Sequence, residues 1–332
     1  MCFDVNSMSM ISFPGLGIDE IKIDRVAFSL FGRDVMWYGL IITLGIVLAF
    51  FYVYYRTKKA GLVFDDLVDI AFFTVIPAIV CARLYYVIFY ELENPGTYND
   101  FISVIAIWNG GIAIYGAIIG GAIGAFSVLL FKKIKWLRFF DALAPSVMIG
   151  QILGRWGNFF NIEAYGSETS LPWRMGIYEG GRLIYVHPTF LYESLWNLLG
   201  FILINVFWKK RRHDGQVFLF YVTWYGLGRA FIEGLRTDSL MIGKSGIRVS
   251  QLIGIICFVI GLIFLILLGI KKEKFPVSSV IYKETSKHYE RALAVAFPKE
   301  SPEDISDTAT EQESDNNEDN DNTEEEKNGN NT

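Results

Sequence analysis

Two arginines lie inside strongly apolar stretches of the sequence, where lipid-facing helices exclude charge. Arg155 follows Gln151 by four residues and precedes Asn158 by three, so the three side chains share one face of a helix. Arg229 has Glu233 four residues further along in a second apolar stretch. An arginine at the centre of a membrane helix costs about 2.5–3.5 kcal/mol on insertion scales, so both side chains must face the bundle interior or a wet cavity.

The two arginines predict an anion site. If they lie at the same depth, an anion must lie between them, because Glu233 alone cannot neutralise both. A phosphate fits, since the planar guanidinium group binds phosphate oxygens bidentately. Tyr192 and Glu193 are further candidates for hydrogen-bonding partners of the arginines. The competing interpretation of each arginine alone is a snorkelling side chain or an ion pair that only orients helices.

Several other residues fall near the same end of the predicted helices. They are Tyr38, Arg83, Tyr115, Glu163, Gly166 and His187. Arg83 equally fits anchoring at the membrane interface, and the lone His187 equally fits a structural role. Gly116, Gly120 and Gly124 recur every four residues, which predicts close helix packing and not chemistry.

The elements that must position these residues are membrane-spanning helices. Hydrophobic residues make up 52% of the chain and aromatic residues 16%, in blocks long enough to cross about 30 Å of hydrocarbon. The predicted spans are residues 36–55, 68–90, 104–131, 141–161, 188–208, 216–235 and 248–270. The third is long enough that part of it is expected to tilt or lie at the interface. The sequence therefore predicts an all-α polytopic membrane protein of about seven helices.

Loop charge predicts the orientation of these helices. Lys and Arg cluster at residues 56–59, 132–135, 209–212 and 271–274. The opposite loop at 91–103 has neither residue type, and 162–187 has only Arg174 and Arg182. By the positive-inside rule, the N-terminus is expected outside and the C-terminus in the cytoplasm. Both arginines of the anion site then lie toward the outer ends of their spans.

Four segments are predicted around or within the transmembrane domain at residues 36–271. Residues 1–35 are expected to form an outer-face N-terminal segment, and 162–187 an ordered outer-face cap. Residues 272–298 are expected to be a cytoplasmic juxtamembrane segment. Residues 299–332 carry thirteen acidic residues against two lysines and almost no apolar side chains, which predicts a disordered acidic tail.

Five motifs, taken in order along the chain, resemble the signatures of one family. They are Trp37-Tyr38-Gly39, Trp108 to Gly116, Gly154 to Gly166, His187 to Glu193, and Tyr225 to Glu233. Together they resemble the prolipoprotein diacylglyceryl transferases of bacteria, over about residues 30–270. The motifs are specific because they agree both in sequence and in their position relative to the spans.

The resemblance implies a reaction on the outer face of the bacterial cytoplasmic membrane. The diacylglyceryl group of phosphatidylglycerol would pass to the thiol of the lipobox cysteine that follows a prolipoprotein signal peptide, with release of glycerol phosphate. This is the first step of lipoprotein maturation. The expected partners are phosphatidylglycerol, prolipoprotein signal peptides and the bilayer. No metal, other cofactor or nucleic acid is expected.

The resemblance also implies roles for individual residues. Carried over by motif, Arg155 and Arg229 are the essential arginines, and Tyr38, Asn158, Glu163, Gly166 and Glu233 are further residues on which the family depends. With the candidates that the sequence itself offers, the residues expected in catalysis are Arg155, Arg229, Tyr38, Glu163 and Tyr115, and those expected to bind phosphatidylglycerol are Arg155, Asn158, Arg229, Gly166, Glu233, His187 and Arg83. Some family members have a histidine where this chain has Tyr115, so a histidine base is not available at that position. Tyr38, Tyr115 and Glu163 remain alternative acceptors for the thiol proton.

Other functional classes fit the sequence less well. A lipid or anion transporter would favour polar residues at the membrane midplane in broken, pseudo-repeated helices, whereas here they cluster toward one face. A metal-dependent alcohol phosphotransferase needs several aspartates close together within the membrane. Asp65, Asp66 and Asp69 instead lie where the second span begins and are typical of interface charges. A purely structural membrane protein is the least favoured class.

Overall fold

The computed structural model describes residues 9–241, 246–270 and 276–298, and helices dominate this part of the chain. The helices are α1 (Trp37–Thr57), α2 (Phe64–Glu93), α3 (Phe101–Ile105), α4 (Ile114–Phe131), α5 (Trp136–Asn161), α6 (Thr189–Phe207), α7 (Gln216–Ile232), α8 (Val249–Ile270) and α9 (Tyr289–Ala296). The strands are β1 (Ser9–Phe13), β2 (Ile18–Ile23), β3 (Val26–Leu30), β4 (Arg33–Met36), β5 (Met175–Glu179) and β6 (Arg182–Val186). The chain is thus mostly helical, but the two small sheets depart from the predicted all-α class.

Five helices in the described part of the chain are long and apolar enough to cross a membrane. They are α1, α2, α4, α6 and α8, with α1 and α6 each prolonged by a short 3-10 turn. The protein is therefore a polytopic membrane protein. The remaining long helices are α5, whose hydropathy is lowered by polar residues such as Gln151, Arg155 and Asn158, and α7, which has only 17 residues. These two helices carry the two arginines that the sequence analysis singled out.

Helix α5 lies inside the bundle, where its polar face is enclosed. It packs against α1, α6 and α7, whereas α2 pairs mainly with α4, and α7 also pairs with α8. Enclosure by three neighbours explains how α5 can carry a charged residue without exposing it to hydrocarbon.

The pairing of α2 with α4 depends on glycines, as the four-residue repeat predicted. A Cβ atom at Gly124 would lie 1.7 Å from the carbonyl oxygen of Phe73, and one at Gly120 would lie 2.2 Å from that of Pro77. The two backbones therefore approach more closely than any side chain allows. The predicted packing role of these glycines is confirmed.

We expect Gly124→Ala to destabilise the protein by about 1–3 kcal/mol or more, because the new methyl group must push α4 away from α2. Thermal unfolding of the detergent-solubilised protein measures this as a lower midpoint. Gly121→Ala is the matched control on the same helix, since its Cβ would find its nearest neighbours at 3.5 Å. Equal midpoints for the two variants would contradict the close-packing interpretation.

The third predicted span, residues 104–131, is interrupted in the structure. Helix α3 ends at Ile105 and α4 begins only at Ile114. Between them Gly110 and Gly111 adopt φ angles of 81° and 75°, a left-handed region that a continuous right-handed helix cannot contain. The prediction of one continuous helix over 104–131 was therefore wrong at residues 106–113, between α3 and α4.

Strands from two distant parts of the chain form one four-stranded antiparallel sheet in the order β2-β1-β5-β6. Ile11 of β1 pairs with Ile177 of β5, and both are buried with Val186 against Phe190 of α6. Part of the segment predicted at 1–35, through β1 and β2, therefore shares one sheet with part of the segment predicted at 162–187, through β5 and β6; residues 1–8 lie outside the described residues. The hairpin β3–β4 then leads directly into α1.

Residues 276–298 pack against the other end of the bundle. The backbone N–H of Ile281 donates to the carbonyl of Ala60, and its carbonyl accepts from the N–H of Lys135. The fully buried Tyr282 donates its hydroxyl hydrogen to Asp66 at 2.6 Å. The predicted juxtamembrane segment is thus part of the folded bundle over these residues. The acidic tail predicted at 299–332 lies outside the described residues.

The aspartates at the start of α2 are bound within this end of the structure. Lys132, just after α4, forms ion pairs with both Asp66 and Asp69. Burial alone would lower the pKa of Lys132, but the hydrogen bonds to the two carboxylates outweigh it and raise the pKa. These ion pairs join α2 to the end of α4.

Candidate active site

The carboxylate of Glu193, on α6, lies between the two arginines. Nη2 of Arg155 is 2.6 Å from its Oε2, and Nη1 of Arg229 is 3.0 Å from its Oε1. Glu193 is only 5% exposed, so these contacts are shielded from water. The anion that the arginine pair requires is thus supplied by the protein itself in this structure. The sequence predicts Glu193 only as a possible hydrogen-bonding partner of the arginines and not as one of the site residues.

A third arginine and two more carboxylates complete this group. Nη2 of Arg229 is 2.7 Å from Glu233, and Arg236 lies 3.9 Å from Glu193 and 4.0 Å from Glu233. Arg236 also binds Asp238 at 2.8 Å. We call Arg155, Arg229, Arg236, Glu193, Glu233 and Asp238 the arginine cluster. Its formal charges balance.

Asp238 belongs to this cluster although it lies beyond the end of α7. Burial alone would raise the pKa of its carboxyl, but the hydrogen bonds from Arg236 outweigh burial and lower the pKa. The carboxylate therefore stays ionised at neutral pH. Helical periodicity does not predict that Asp238 belongs to this group, because the periodicity applies only within α7, which ends at Ile232.

The end of α5 extends the cluster through side-chain hydrogen bonds. Nη1 of Arg155 donates to Oδ1 of Asn158 at 3.1 Å, and Nδ2 of Asn158 donates to Oε1 of Glu163 at 2.7 Å. The ring of Tyr38 lies against Gly157, where a Cβ atom would be 2.8 Å from it. The structure thus brings Tyr38, Asn158 and Glu163 to the same end of α5 as Arg155.

Gly166 joins the cap segment to the end of α7. Its N–H donates to the carbonyl of His187 at 3.0 Å, and the next N–H, of Ser167, donates to the carbonyl of Leu235 at 2.7 Å. A Cβ atom at Gly166 would lie 2.7 Å from Cβ of His187 and 3.1 Å from that carbonyl of Leu235. Only glycine allows this approach, which fixes the chain immediately before Arg236.

The ring of His187 is held next to α6. Its Nδ1 lies 3.2 Å from the hydroxyl of Tyr192, which also accepts a hydrogen bond from Trp173 at 2.7 Å. Burial lowers the pKa of His187, so the ring is neutral at neutral pH. His187 is thus an uncharged group, and within the described residues no hydrogen bond or ion pair joins its ring to the arginine cluster. Its role in binding phosphatidylglycerol stays a prediction.

Arg83 is occupied elsewhere. Its guanidinium group donates to the carbonyls of Ser103, Val104, Gly110 and Gly111 at 2.6–2.8 Å. These contacts hold the interrupted segment between α3 and α4. Within the described residues no hydrogen bond or ion pair joins Arg83 to the arginine cluster, and its role in substrate binding stays a prediction.

Tyr115 is also not linked to the cluster by any hydrogen bond in the described part of the chain. It lies in the first turn of α4, and its ring centroid is 6.4 Å from that of Tyr85 on α2. The structure thus associates Tyr115 with the α2–α4 pair. Its catalytic role stays a prediction.

Known proteins resemble this chain over most of its length. The family model described as prolipoprotein diacylglyceryl transferase matches residues 25–267. The chain belongs to this family. It is 45% identical over 257 residues to a phosphatidylglycerol–prolipoprotein diacylglyceryl transferase of Lysinibacillus sphaericus, which covers 73% of this chain and 91% of the relative. A relative of the same name from Staphylococcus aureus is 44% identical over 267 residues, covering 77% and 92%.

The resemblance predicted from the five motifs is therefore confirmed. The family match includes α1 to α8, except the last residues of α8, and the whole arginine cluster. It leaves out β1 and β2 and the segment at 276–298 that closes the other end of the bundle.

Proposed function

We propose that this protein transfers the diacylglyceryl group of phosphatidylglycerol to the cysteine thiol of a prolipoprotein. Membership of the family and the names of the relatives support this reaction. The observation that connects it to particular residues is the meeting of Arg155 and Arg229 at the buried Glu193, within a bundle of apolar helices. Such a site offers directed guanidinium donors to a lipid phosphate.

The reaction forms a carbon–sulfur bond and breaks a carbon–oxygen bond. The thiolate of the lipobox cysteine attacks the glycerol carbon that bears the phosphate, and glycerol phosphate leaves with the electron pair of the broken bond. Negative charge grows on the departing phosphate, and donors already fixed in place stabilise it without reorganising. Because the cluster is formally neutral at rest, this stabilisation comes from directed hydrogen bonds and not from excess positive charge.

A proton acceptor for the thiol is also required, and we assign this role to Glu163. Its carboxylate is exposed and is connected to Arg155 through Asn158, so a substrate beside the arginine has access to it. Tyr38 lies at the same end of α5 and is the alternative. The guanidinium groups also favour the thiolate, since hydrogen bonds donated to the charged form of a thiol lower its pKa.

The arginine cluster is assigned to the outer face of the bacterial cytoplasmic membrane, and α5 and α7 are added to the five apolar helices as membrane spans, which makes seven. Support comes from the basic residues at the opposite end of the helices, among them Lys58 and Lys59 after α1 and Lys209 and Lys210 after α6. In this orientation the four-stranded sheet caps the site on the outer face. The prolipoprotein cysteine then reaches the cluster from the side to which it is exported.

Reconstitution tests the proposed reaction. The full chain is placed in vesicles of phosphatidylglycerol with a peptide that contains a lipobox, and the product is analysed by mass spectrometry. We expect a thioether-linked diacylglyceryl peptide, and none with a peptide in which alanine replaces the cysteine. Absence of the product with protein that is folded by its thermal unfolding transition would overturn the proposal.

Gly166→Ala tests how strictly the cluster is positioned. We expect transfer to fall about tenfold to 100-fold, because the methyl group displaces His187 or the chain leading to Arg236. Gly150→Ala on α5 is the control, since a Cβ atom there meets nothing within 4 Å. Rates are compared in the reconstituted assay after thermal unfolding has established that both variants fold. An undiminished rate for Gly166→Ala would show that this contact is not needed.

A further inference from the structure

A cavity of about 370 Å³ lies where α6 ends and α7 begins. It combines an apolar wall with a cluster of cationic side chains, and its volume is in the range of small-molecule sites in proteins. We propose that this cavity binds an anionic phospholipid, with the phosphate at the cations and an acyl chain along the wall. The proposal does not depend on the function proposed above.

The apolar part of the cavity is open to lipid. It is lined by Leu203, Ile204 and Phe207 of α6 and by Val217 and Phe220 of α7. Phe207 is 51% exposed on a helix that is apolar enough to cross a membrane, so this side of the cavity faces hydrocarbon. An acyl chain therefore enters the groove without crossing a polar surface.

The cationic part of the cavity consists of Lys210, Arg211 and Arg212. Within the described residues none of the three forms an ion pair with an acidic side chain, unlike Lys132, which is bound by two aspartates. The guanidinium group of Arg211 lies 4.4 Å from the ring of Trp208, and its Nε is buried without a hydrogen-bond partner in the described structure.

The nearest acidic residue in sequence does not neutralise this group. Asp214 is buried and accepts hydrogen bonds from the backbone N–H of Ser278, and it faces Arg138 at 3.9 Å. Its charge is thus directed away from the cavity toward other partners. The cavity keeps three positive charges beside an apolar groove, which is the combination that recognises anionic lipid headgroups between membrane helices.

This cavity is distinct from the arginine cluster. Glu193 and Phe207 are fourteen residues apart on α6, and a helix rises 1.5 Å per residue, which separates the two sites by about 20 Å along the helix. A lipid in the cavity therefore lies in the opposite leaflet from a lipid at the cluster. Binding there is a second lipid interaction and not an extension of the first.

Two double variants that each remove two positive charges from this end of the bundle test the proposal. The full-length, delipidated protein in nonionic detergent is titrated with dioleoyl phosphatidic acid, and bound lipid is counted by native mass spectrometry. Lys210→Gln with Arg212→Gln is expected to weaken binding by about tenfold or more. Lys58→Gln with Lys59→Gln, at exposed lysines outside the cavity lining, is expected to change it less than about twofold.

Leu203→Trp provides a second test, because it fills the groove and keeps all three cations. We expect loss of the lipid adduct with an unchanged thermal unfolding midpoint. Equal weakening by both double variants would overturn the proposal in favour of diffuse electrostatic attraction. Equal binding of phosphatidylcholine would overturn it in favour of apolar contact without recognition of the anionic headgroup. Displacement of the lipid by inorganic phosphate would assign a free-anion site instead. If the lipid binds only after residues 299–332 are removed, that acidic segment is the natural occupant of the cavity in place of a lipid, and the proposal is also overturned.

Discussion

Replacing Arg155 with lysine is expected to lower the rate of diacylglyceryl transfer by at least about 100-fold, although the positive charge is retained. The guanidinium group of Arg155 reaches Glu193 at 2.6 Å with one nitrogen and Asn158 at 3.1 Å with another. An ammonium group is a compact point charge that cannot reproduce this planar arrangement. The variant therefore loses the orientation of the donors that stabilise the leaving phosphate.

The reconstituted transfer assay measures this effect as a fall in kcat at saturating phosphatidylglycerol. Arg182→Lys, at an exposed position on β6, is the matched control and is expected to keep the wild-type rate. A normal kcat for Arg155→Lys would mean that charge alone suffices. It would contradict the role assigned to the guanidinium geometry while leaving the proposed reaction intact.

Glu193→Gln is expected to lower both stability and kcat without weakening the binding of the lipid headgroup. The substitution keeps the shape of the side chain but removes the buried carboxylate that contacts Arg155 and Arg229. Breaking such a buried pair costs about 3 kcal/mol or more, because the partner charges are left uncompensated. The cluster then carries excess positive charge, which attracts an anionic headgroup. Without the carboxylate of residue 193, however, Arg155 and Arg229 are no longer held in place.

Steady-state kinetics and thermal unfolding in detergent separate these effects. We expect kcat to fall by about tenfold or more while KM for phosphatidylglycerol stays equal or decreases. Glu168→Gln, at an exposed carboxylate in the cap segment, is the control and should change neither quantity. A raised KM with an unchanged kcat would instead mean that Glu193 contacts the substrate directly.

The long helices follow from the sequence because apolar runs of sufficient length have few alternatives in a membrane. The interruption before α4 does not follow from the sequence, since a hydropathy profile carries no information about the positive φ angles of Gly110 and Gly111. The four-stranded sheet was also missed. Ile11 and Ile177 are paired across half of the chain length, and no local pattern specifies such a partner.

The candidate site was predictable where one helix determines it. Spacing along α5 places Arg155 and Asn158 on one face, and the structure joins them by a hydrogen bond. The position of Glu193 between the arginines depends instead on how α5, α6 and α7 pack together. Asp238 lies past the last helical residue of α7, so periodicity carried no information about it.

The contact between Tyr282 and Asp66 also has a consequence for the order of assembly. The two residues are 216 positions apart, so α2 is synthesised long before the hydroxyl group that its aspartate binds. Lys132 reaches the same aspartate much earlier and provides a first counter-charge. This end of the bundle is therefore completed only when one of the last described segments leaves the ribosome. A chain truncated before Tyr282 would have to keep its first helices together without the hydrogen bond from Tyr282 to Asp66.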